Sequence, residues 1–321
     1  MNAEQLIKFI EITYGLKASA SILRDGPDNT VWILDCTDGR KYVGRVSKRE
    51  IKDDIAFEAE WLRYLRTKNV SVAPIINTLN GSPYSIAPTG KAVTVFDLVS
   101  GHHTSMSQDT PIPIKAVTSA ARALAKIHEV SRGHKIDLPR SRNIFTEMQR
   151  ALAVASDIEE NVPGGKQFIK EVKEYELWAK EYEFTPVLVH NDYRVGNILF
   201  DDTEEVTAVI DFDWCCLGPA IKDVAHTLIE WSLPDKSPKH FKEVFEAFLK
   251  AYNGAVSDPI MDDNILYRWI CFVALSDACT YIVDRLNSGE IKAIGSCYMY
   301  RKFEYFKTMI LHRQSAIKMI A

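Results

Sequence analysis

The sequence predicts an α+β protein in two parts, and three observations carry that expectation. The Asp38-Gly39 pair separates two runs rich in β-branched and aromatic residues, the signature of a hairpin. Past Gly101 the apolar residues recur at helical spacing, beginning with Val117, Ala120, Ala121, Leu124, Ala125 and His128. Two short apolar bursts, at 187–189 and 206–210, run directly into dense polar segments. At 321 residues the chain is long enough for two domains at about 150 residues each. The expected division is a mixed part over 1–100 and a larger, mainly helical part over 101–321.

Taken in order, Leu6, Ile7, Ile10 and Tyr14 fall on one face of a first amphipathic helix. From residue 21 to 46 the pattern changes to strand and turn, with Val31–Leu34 and Lys41–Val43 flanking the Asp-Gly turn. Phe57, Trp61, Leu62 and Leu65 then mark a helix face, and residues 84–86 and 92–96 read as short strands. The stretch 144–180 is largely helical, broken at Pro163-Gly164-Gly165. Residues 221–321 read as several helices separated by Pro234, Pro238 and Pro259.

Composition excludes several classes of protein. Hydrophobic residues at 46% and charged residues at 26% match a globular chain, not a disordered or collagen-like one. The balance of 39 Lys+Arg against 43 Asp+Glu argues against a nucleic-acid partner, which calls for a basic excess. Residues 1–100 hold 13 basic and 12 acidic residues and the remainder 26 and 31, so the acidic excess belongs to the second part. Six cysteines form no CxxC pair and no zinc spacing, and free thiols point to a cytoplasmic location. No uninterrupted apolar run approaches the ~18 residues of a membrane span, so no membrane partner is expected. Glu4 and Glu11 interrupt the N-terminal apolar stripe, unlike a secretory signal.

The chemistry concentrates in two segments, His190-Asn191-Asp192-Tyr193-Arg194-Val195-Gly196-Asn197 and Ile210-Asp211-Phe212-Asp213. Polar residues between apolar strands are costly to bury without partners. An Asn amide oxygen and a carboxylate, as at Asn197 and Asp211, are the hard oxygen donors that suit Mg²⁺. A separate carboxylate, Asp192, can orient a hydroxyl and accept its proton during phosphoryl transfer.

The order His190-x-Asp192-x-x-x-x-Asn197, followed by Ile210-Asp211-Phe212-Asp213, resembles the catalytic and metal loops of the aminoglycoside phosphotransferase/choline kinase family. The resemblance implies a two-lobed, protein-kinase-like fold and phosphoryl transfer from ATP or GTP, with Mg²⁺, to a small-molecule hydroxyl. It implies Asp192 as the base and Asn197 and Asp211 as metal ligands. Asp213, at the place of the glycine in a kinase DFG, adds a further carboxylate to the metal site. His190 is expected to be structural, and Asp223 to brace the catalytic loop or cap a helix.

The same resemblance extends to the first hundred residues. Gly26-Pro27-Asp28-Asn29-Thr30 is similar to the nucleotide-phosphate loop, with Asn29 its candidate contact, although it has one glycine and Pro27 lacks an amide donor. Arg45 stands at the position of the phosphate-binding lysine, with Lys41 and Lys48 near enough to compete. Glu58 resembles the helix glutamate that pairs with that cation, Glu60 being its competitor. Residues 96–101 resemble the hinge between lobes, with Phe96 walling the adenine and the backbone of Asp97 and Val99 meeting its edge.

The acceptor is expected against the helices of the second lobe. Asp277, Tyr281 and Asp284 recur at i, i+4 and i+7 on one helix, and Glu230 and Trp231 end another. Such an acidic and aromatic wall suits an amine-bearing acceptor of the homoserine, choline, ethanolamine or aminoglycoside type. A nucleotide-binding regulatory protein without turnover is the alternative, prompted by the thin glycine loop and Arg45. Protein phosphorylation is disfavoured by the lack of an APE-type segment after Asp211.

Overall fold

Asn2 starts the first helix, α1 (Ala3–Tyr14), through a capping box in which its side chain and that of Gln5 each accept the other's backbone N–H. This architecture comes from a computed structural model that describes residues 1–321 apart from 27, 49–51, 106, 108–109, 234–240 and 321, and the backbone alone at 52–53 and 310–320. The strands that follow are β1 (Ala18–Asp25), β2 (Asn29–Cys36) and β3 (Lys41–Ser47). Helix α2 (Lys52–Thr67) then leads to β4 (Ile75–Ile76), β5 (Ser85–Ile86) and β6 (Ala92–Asp97). Among the described residues these six strands form one sheet in the order β1-β2-β3-β6-β4, with β5 also on β6, every pairing antiparallel.

The Asp38-Gly39 turn closes the β2–β3 hairpin, with Gly39 donating its N–H to the Cys36 carbonyl at 3.0 Å. Leu6, Ile10 and Tyr14 of α1 pack with Trp32, Leu34, Tyr42, Val93 and Val95 of the sheet into one buried cluster. The Tyr14 hydroxyl donates to the Val93 carbonyl at 2.7 Å, so the one polar atom the helix sends into this core is satisfied.

The second half contains α3 (Ile114–Ser131), α4 (Thr146–Ala153), α5 (Ala155–Asn161) and α6 (Gly165–Lys180). Helix α6 opens on a glycine for a steric reason: a Cβ on Gly165 would collide with the carbonyl of Ile158. Four short strands then form two antiparallel pairs: β7 (Val187–Val189) with β10 (Cys216–Gly218), and β8 (Ile198–Phe200) with β9 (Val206–Val209). The apolar bursts at 187–189 and 206–210 therefore belong to different pairs. The chain ends in α7 (Ala220–Ser232), α8 (Lys242–Asn253), α9 (Asp263–Asn287) and α10 (Tyr298–Ile320). Pro259 lies between α8 and α9 as expected, whereas Pro234 and Pro238 lie outside the described residues.

The chain forms two compact units. One holds Met1–His102, Lys135–Ser141 and Ile198–Asp213, and the other His103–His134, Arg142–Asn197 and Trp214–Ala321. In the second unit α9 is the central helix, packed against α4, α6, α7 and α10. That position explains its composition. By length and apolarity α9 alone among the described residues would serve to cross a membrane, but 72% of its apolar window is buried inside the protein. It is a core helix. None of the six cysteines forms a disulfide.

In the first unit the β8–β9 hairpin is tied to the segment that follows β6, at Gly101 and His102. His102 exchanges backbone hydrogen bonds with Phe200, both at 2.9 Å. A Cβ on Gly101, whose φ is +144°, would stand 2.6 Å from Thr207 Oγ1 and 2.9 Å from the Phe200 carbonyl oxygen. Gly101→Ala is thus expected to destabilise the protein by about 1–3 kcal/mol through backbone strain. The check is a lowered midpoint in thermal unfolding.

Candidate active site

The loop after β7 opens on backbone strain. Asn191 sits in the left-handed region with φ +68°, a conformation Asn tolerates better than most residues. Its amide and that of His190 point at one buried carboxylate, Asp223 in the first turn of α7, at 2.8 and 2.6 Å. Asp223 and His190 are both fully buried. The His128 Nε2 lies 3.2 Å from Asp223 Oδ2, and the Tyr252 hydroxyl meets His128 Nδ1 at 2.7 Å. Burial by itself raises the Asp223 pKa, but the His128 hydrogen bond and charge, with Lys222 and His190, outweigh it and bring the carboxyl to about 2. Asp223 therefore stays ionised and holds the loop by charge-assisted hydrogen bonds.

At the tip of that loop, Asn197 Nδ2 donates to both the carbonyl and Oδ2 of Asp192, each at 2.8 Å. Arg194 Nε lies 3.1 Å from the same Oδ2 as an ion pair, without hydrogen-bond alignment. The Asp192 carboxylate is thus held in place yet remains 24% exposed, able to meet a solute. His190 contributes from within, its Nδ1 accepting the Asp192 N–H at 3.3 Å. Tyr193 anchors the loop through its hydroxyl on the Ala120 carbonyl, and Trp231 Nε1 donates to the Tyr193 carbonyl at 3.1 Å.

A second cluster forms in the other unit, on the sheet. Arg45 of β3 is buried and makes a two-pronged pair with Glu58 of α2, Nη1–Oε1 at 3.0 Å and Nη2–Oε2 at 2.5 Å. Its Nη1 also reaches Asp213 Oδ1 at 3.0 Å, while Asn29 Nδ2 donates to Asp213 Oδ2. The Phe96 ring lies 5.0 Å from the guanidinium carbon. Burial opposes the Arg45 charge, but Asp213, Glu58 and Asp211 prevail and raise its pKa, so the guanidinium is fixed as a cation. Asp211 is in the left-handed region, φ +66°, directly after β9.

Competing positions separate by burial. Lys41 pairs with Asp35 and Lys48 with Asp25, each at 2.7 Å and open to solvent, and Glu60 pairs with Arg63. At the end of β6, Asp97 donates its N–H to the Pro74 carbonyl at 2.9 Å, and Val99 makes no hydrogen bond among the described residues. Pro27 lies outside those residues, and the loop it belongs to is represented by Gly26, Asp28 and Asn29.

The acceptor candidates divide. Trp231 does not line an open wall, being fully buried against Tyr193 and Phe248. Glu230 and Asp277 remain partly exposed, each backed by a buried basic side chain: Lys302 Nζ at 3.0 Å and His226 Nε2 at 3.4 Å. Burial works against the His226 charge, but Asp277 and Glu230 raise its pKa. Tyr281 is covered by the Arg285 guanidinium at 5.0 Å, and Asp284 pairs with Arg150 at 2.8 Å. Sequence reasoning missed Arg140, whose Nη2 donates to the Asp213 carbonyl at 2.6 Å while Nη1 lies 3.4 Å from Asp54. It also missed Lys222, which donates to Asn191 Oδ1.

In each unit the donor chemistry is of the hard-oxygen kind. Asn197 commits its Nδ2 to Asp192, which leaves its Oδ1 as an amide oxygen donor, and in the other unit Asp211 and Asp213 carry carboxylate oxygens.

Known proteins resemble this chain over most of its length. A homoserine kinase from Nitrobacter winogradskyi is 23% identical over 291 residues, covering 89% of this chain and 85% of that one. Amicoumacin kinase hAmiN, solved with AMP-PNP, Ca²⁺ and Ami, superposes with a TM-score of 0.75 at 16% identity, covering 96% and 94% of the two chains. A microcompartment-associated aminopropanol kinase gives 0.64 at 17% identity, covering 90% and 98%. The structural likenesses establish a protein-kinase-like α+β fold. The phosphotransferase enzyme family model matches residues 19–259, three quarters of the chain and both polar clusters, and the chain belongs to that family.

Proposed function

We propose that this small-molecule phosphotransferase moves the γ-phosphoryl group of ATP or GTP to a hydroxyl of a small amine-bearing acceptor. The observation that carries the reading is the Asp192 carboxylate, positioned by Asn197 on a loop whose amides are fastened to a buried, ionised Asp223. A carboxylate so held can orient a hydroxyl and accept its proton as the phosphoryl group arrives.

On the nucleotide side, Arg45 forks onto phosphate oxygens, as guanidinium geometry favours. Glu58 aims it, Asn29 contributes an amide donor, and Phe96, Asp97 and Val99 frame the base. The resemblance assigns Asn197, Asp211 and Asp213 as Mg²⁺ ligands, and the metal when bound would supply neutralisation of phosphate charge. Since phosphoryl transfer needs little covalent help, the residues act by positioning and electrostatics. His190 and Asp223 are positioning residues.

For the acceptor, Glu230 and Asp277 are the partly exposed carboxylates that favour an ammonium group. Acceptors with an amine and a hydroxyl are consistent with the names of the homoserine kinase and aminopropanol kinase relatives. The test is a coupled ADP- or GDP-release assay with Mg²⁺ over homoserine, aminopropanol, choline, ethanolamine, aminoglycosides and sugar alcohols. Turnover is expected with an amine-bearing acceptor and is expected to vanish in Asp192→Ala. Release that no acceptor stimulates above buffer would refute the reading.

A further inference from the structure

We propose that Asp213 occupies the phosphate position of the Arg45 site and thereby makes nucleotide binding selective for the metal-loaded form. The inference rests on the reading of Arg45 and Asn29 as phosphate contacts and goes beyond it. Both oxygens of the Asp213 carboxylate are clamped, Oδ1 by Arg45 Nη1 at 3.0 Å and Oδ2 by the Asn29 amide. Those donors come from the adjacent strands β2 and β3, where Val31 is the register partner of Arg45. An anion with two acceptor oxygens between a guanidinium and an amide is the arrangement a phosphate group would take.

The surroundings hold the carboxylate there. Arg140 Nη2 fixes the Asp213 carbonyl at 2.6 Å, and Arg140 is itself tied to Asp54, on which Ser141 closes with its N–H at 2.7 Å. Glu58 and the Phe96 ring restrict how far Arg45 can turn away. A glycine at this position would place no anion on Arg45. Here a phosphate must displace Asp213, because Arg45 already holds the carboxylates of Glu58 and Asp213, and a third anion at the same guanidinium would meet strong repulsion from both. Metal-free nucleotide competes with Asp213 directly. A divalent cation compensates the displaced carboxylate, so the same side chain that opposes bare nucleotide favours the metal complex.

Equilibrium binding of ADP and GDP to wild type, Asp213→Asn and Asp213→Ala, in EDTA and in excess Mg²⁺, tests this. Relieving like-charge competition should strengthen metal-free binding by about fivefold or more in Asp213→Ala, and by a smaller factor in Asp213→Asn. The affinity gained on adding Mg²⁺ should shrink in both variants. Metal-free affinity at or below wild type in folded variants would overturn the proposal, provided that wild type binds Mg²⁺-nucleotide. Should wild type bind neither nucleotide with Mg²⁺, the phosphotransfer reading fails and this inference with it. Thermal melts establish folding, and the isosteric Asp213→Asn decides if Asp213→Ala does not fold.

Discussion

Asp192→Asn is expected to lower kcat by about 10²–10⁴-fold, the range contributed by a positioned general base. Nucleotide KM and the thermal midpoint should stay near wild type, for three geometric reasons. The Asp192 side chain is 24% exposed, so the substitution buries no new polar group. The loop is fastened at His190 and Asn191, upstream of the substituted side chain. Asn also retains an oxygen for the Asn197 amide, which keeps its bond to the 192 carbonyl in any case. What Asn loses is the charge that draws a hydroxyl proton. A loss confined to kcat would identify an interaction made in the transition state, whereas a raised KM alone would point to substrate binding. Retention of more than about a tenth of wild-type kcat would remove Asp192 from the role of base.

Much of the candidate site is readable because its residues are local in sequence. Asp192, Asn197, Asp211 and Asp213 stand at the ends of apolar bursts, where polar residues call for an explanation. The Arg45 position stayed open between three cations because strand alternation puts Lys41 and Arg45 on one face. Burial on a central strand separates them: β3 is covered on both edges by β2 and β6 where Arg45 sits, and Lys41 lies at the strand's exposed start. Trp231 was legible and misread. It follows Val224 and Leu228 at i, i+4 and i+7, a buried stripe of α7. Lys222, His226 and Glu230 run along the same helix at i, i+4 and i+8 and carry its polar contacts. Arg140 had no signal at all. It comes from an irregular segment, 135–141, that clusters with the sheet far from its neighbours in sequence. The strands β4 and β10, two and three residues long, are likewise products of tertiary pairing, because so few residues carry no periodicity of their own.

The largest stability effect is expected at Asp223. Asp223→Ala would leave two loop amides and His128 without their shared acceptor in a fully buried place, a loss of about 3–5 kcal/mol. Acid should reveal the same interaction in the intact protein. Folding depresses the Asp223 pKa to about 2, below the ordinary carboxyl value of 3.8. The folded state therefore favours the ionised form, and this group's contribution is complete above about pH 4. As pH falls from about 4 towards 2 the unfolded chain takes up the proton first, and the contribution of about 2 kcal/mol drains away. Urea unfolding at pH 5 and pH 3 measures it. Wild type should lose more stability between those two conditions than Asp223→Asn, which has no proton to bind. Equal losses in the two proteins would mean that Asp223 is not held ionised by His128 and the loop. The same Asn variant separates stability from catalysis, since it keeps one acceptor oxygen but releases one of the two amides that set Asp192. Its kcat should fall while nucleotide KM holds, the pattern of a positioning residue acting through the base.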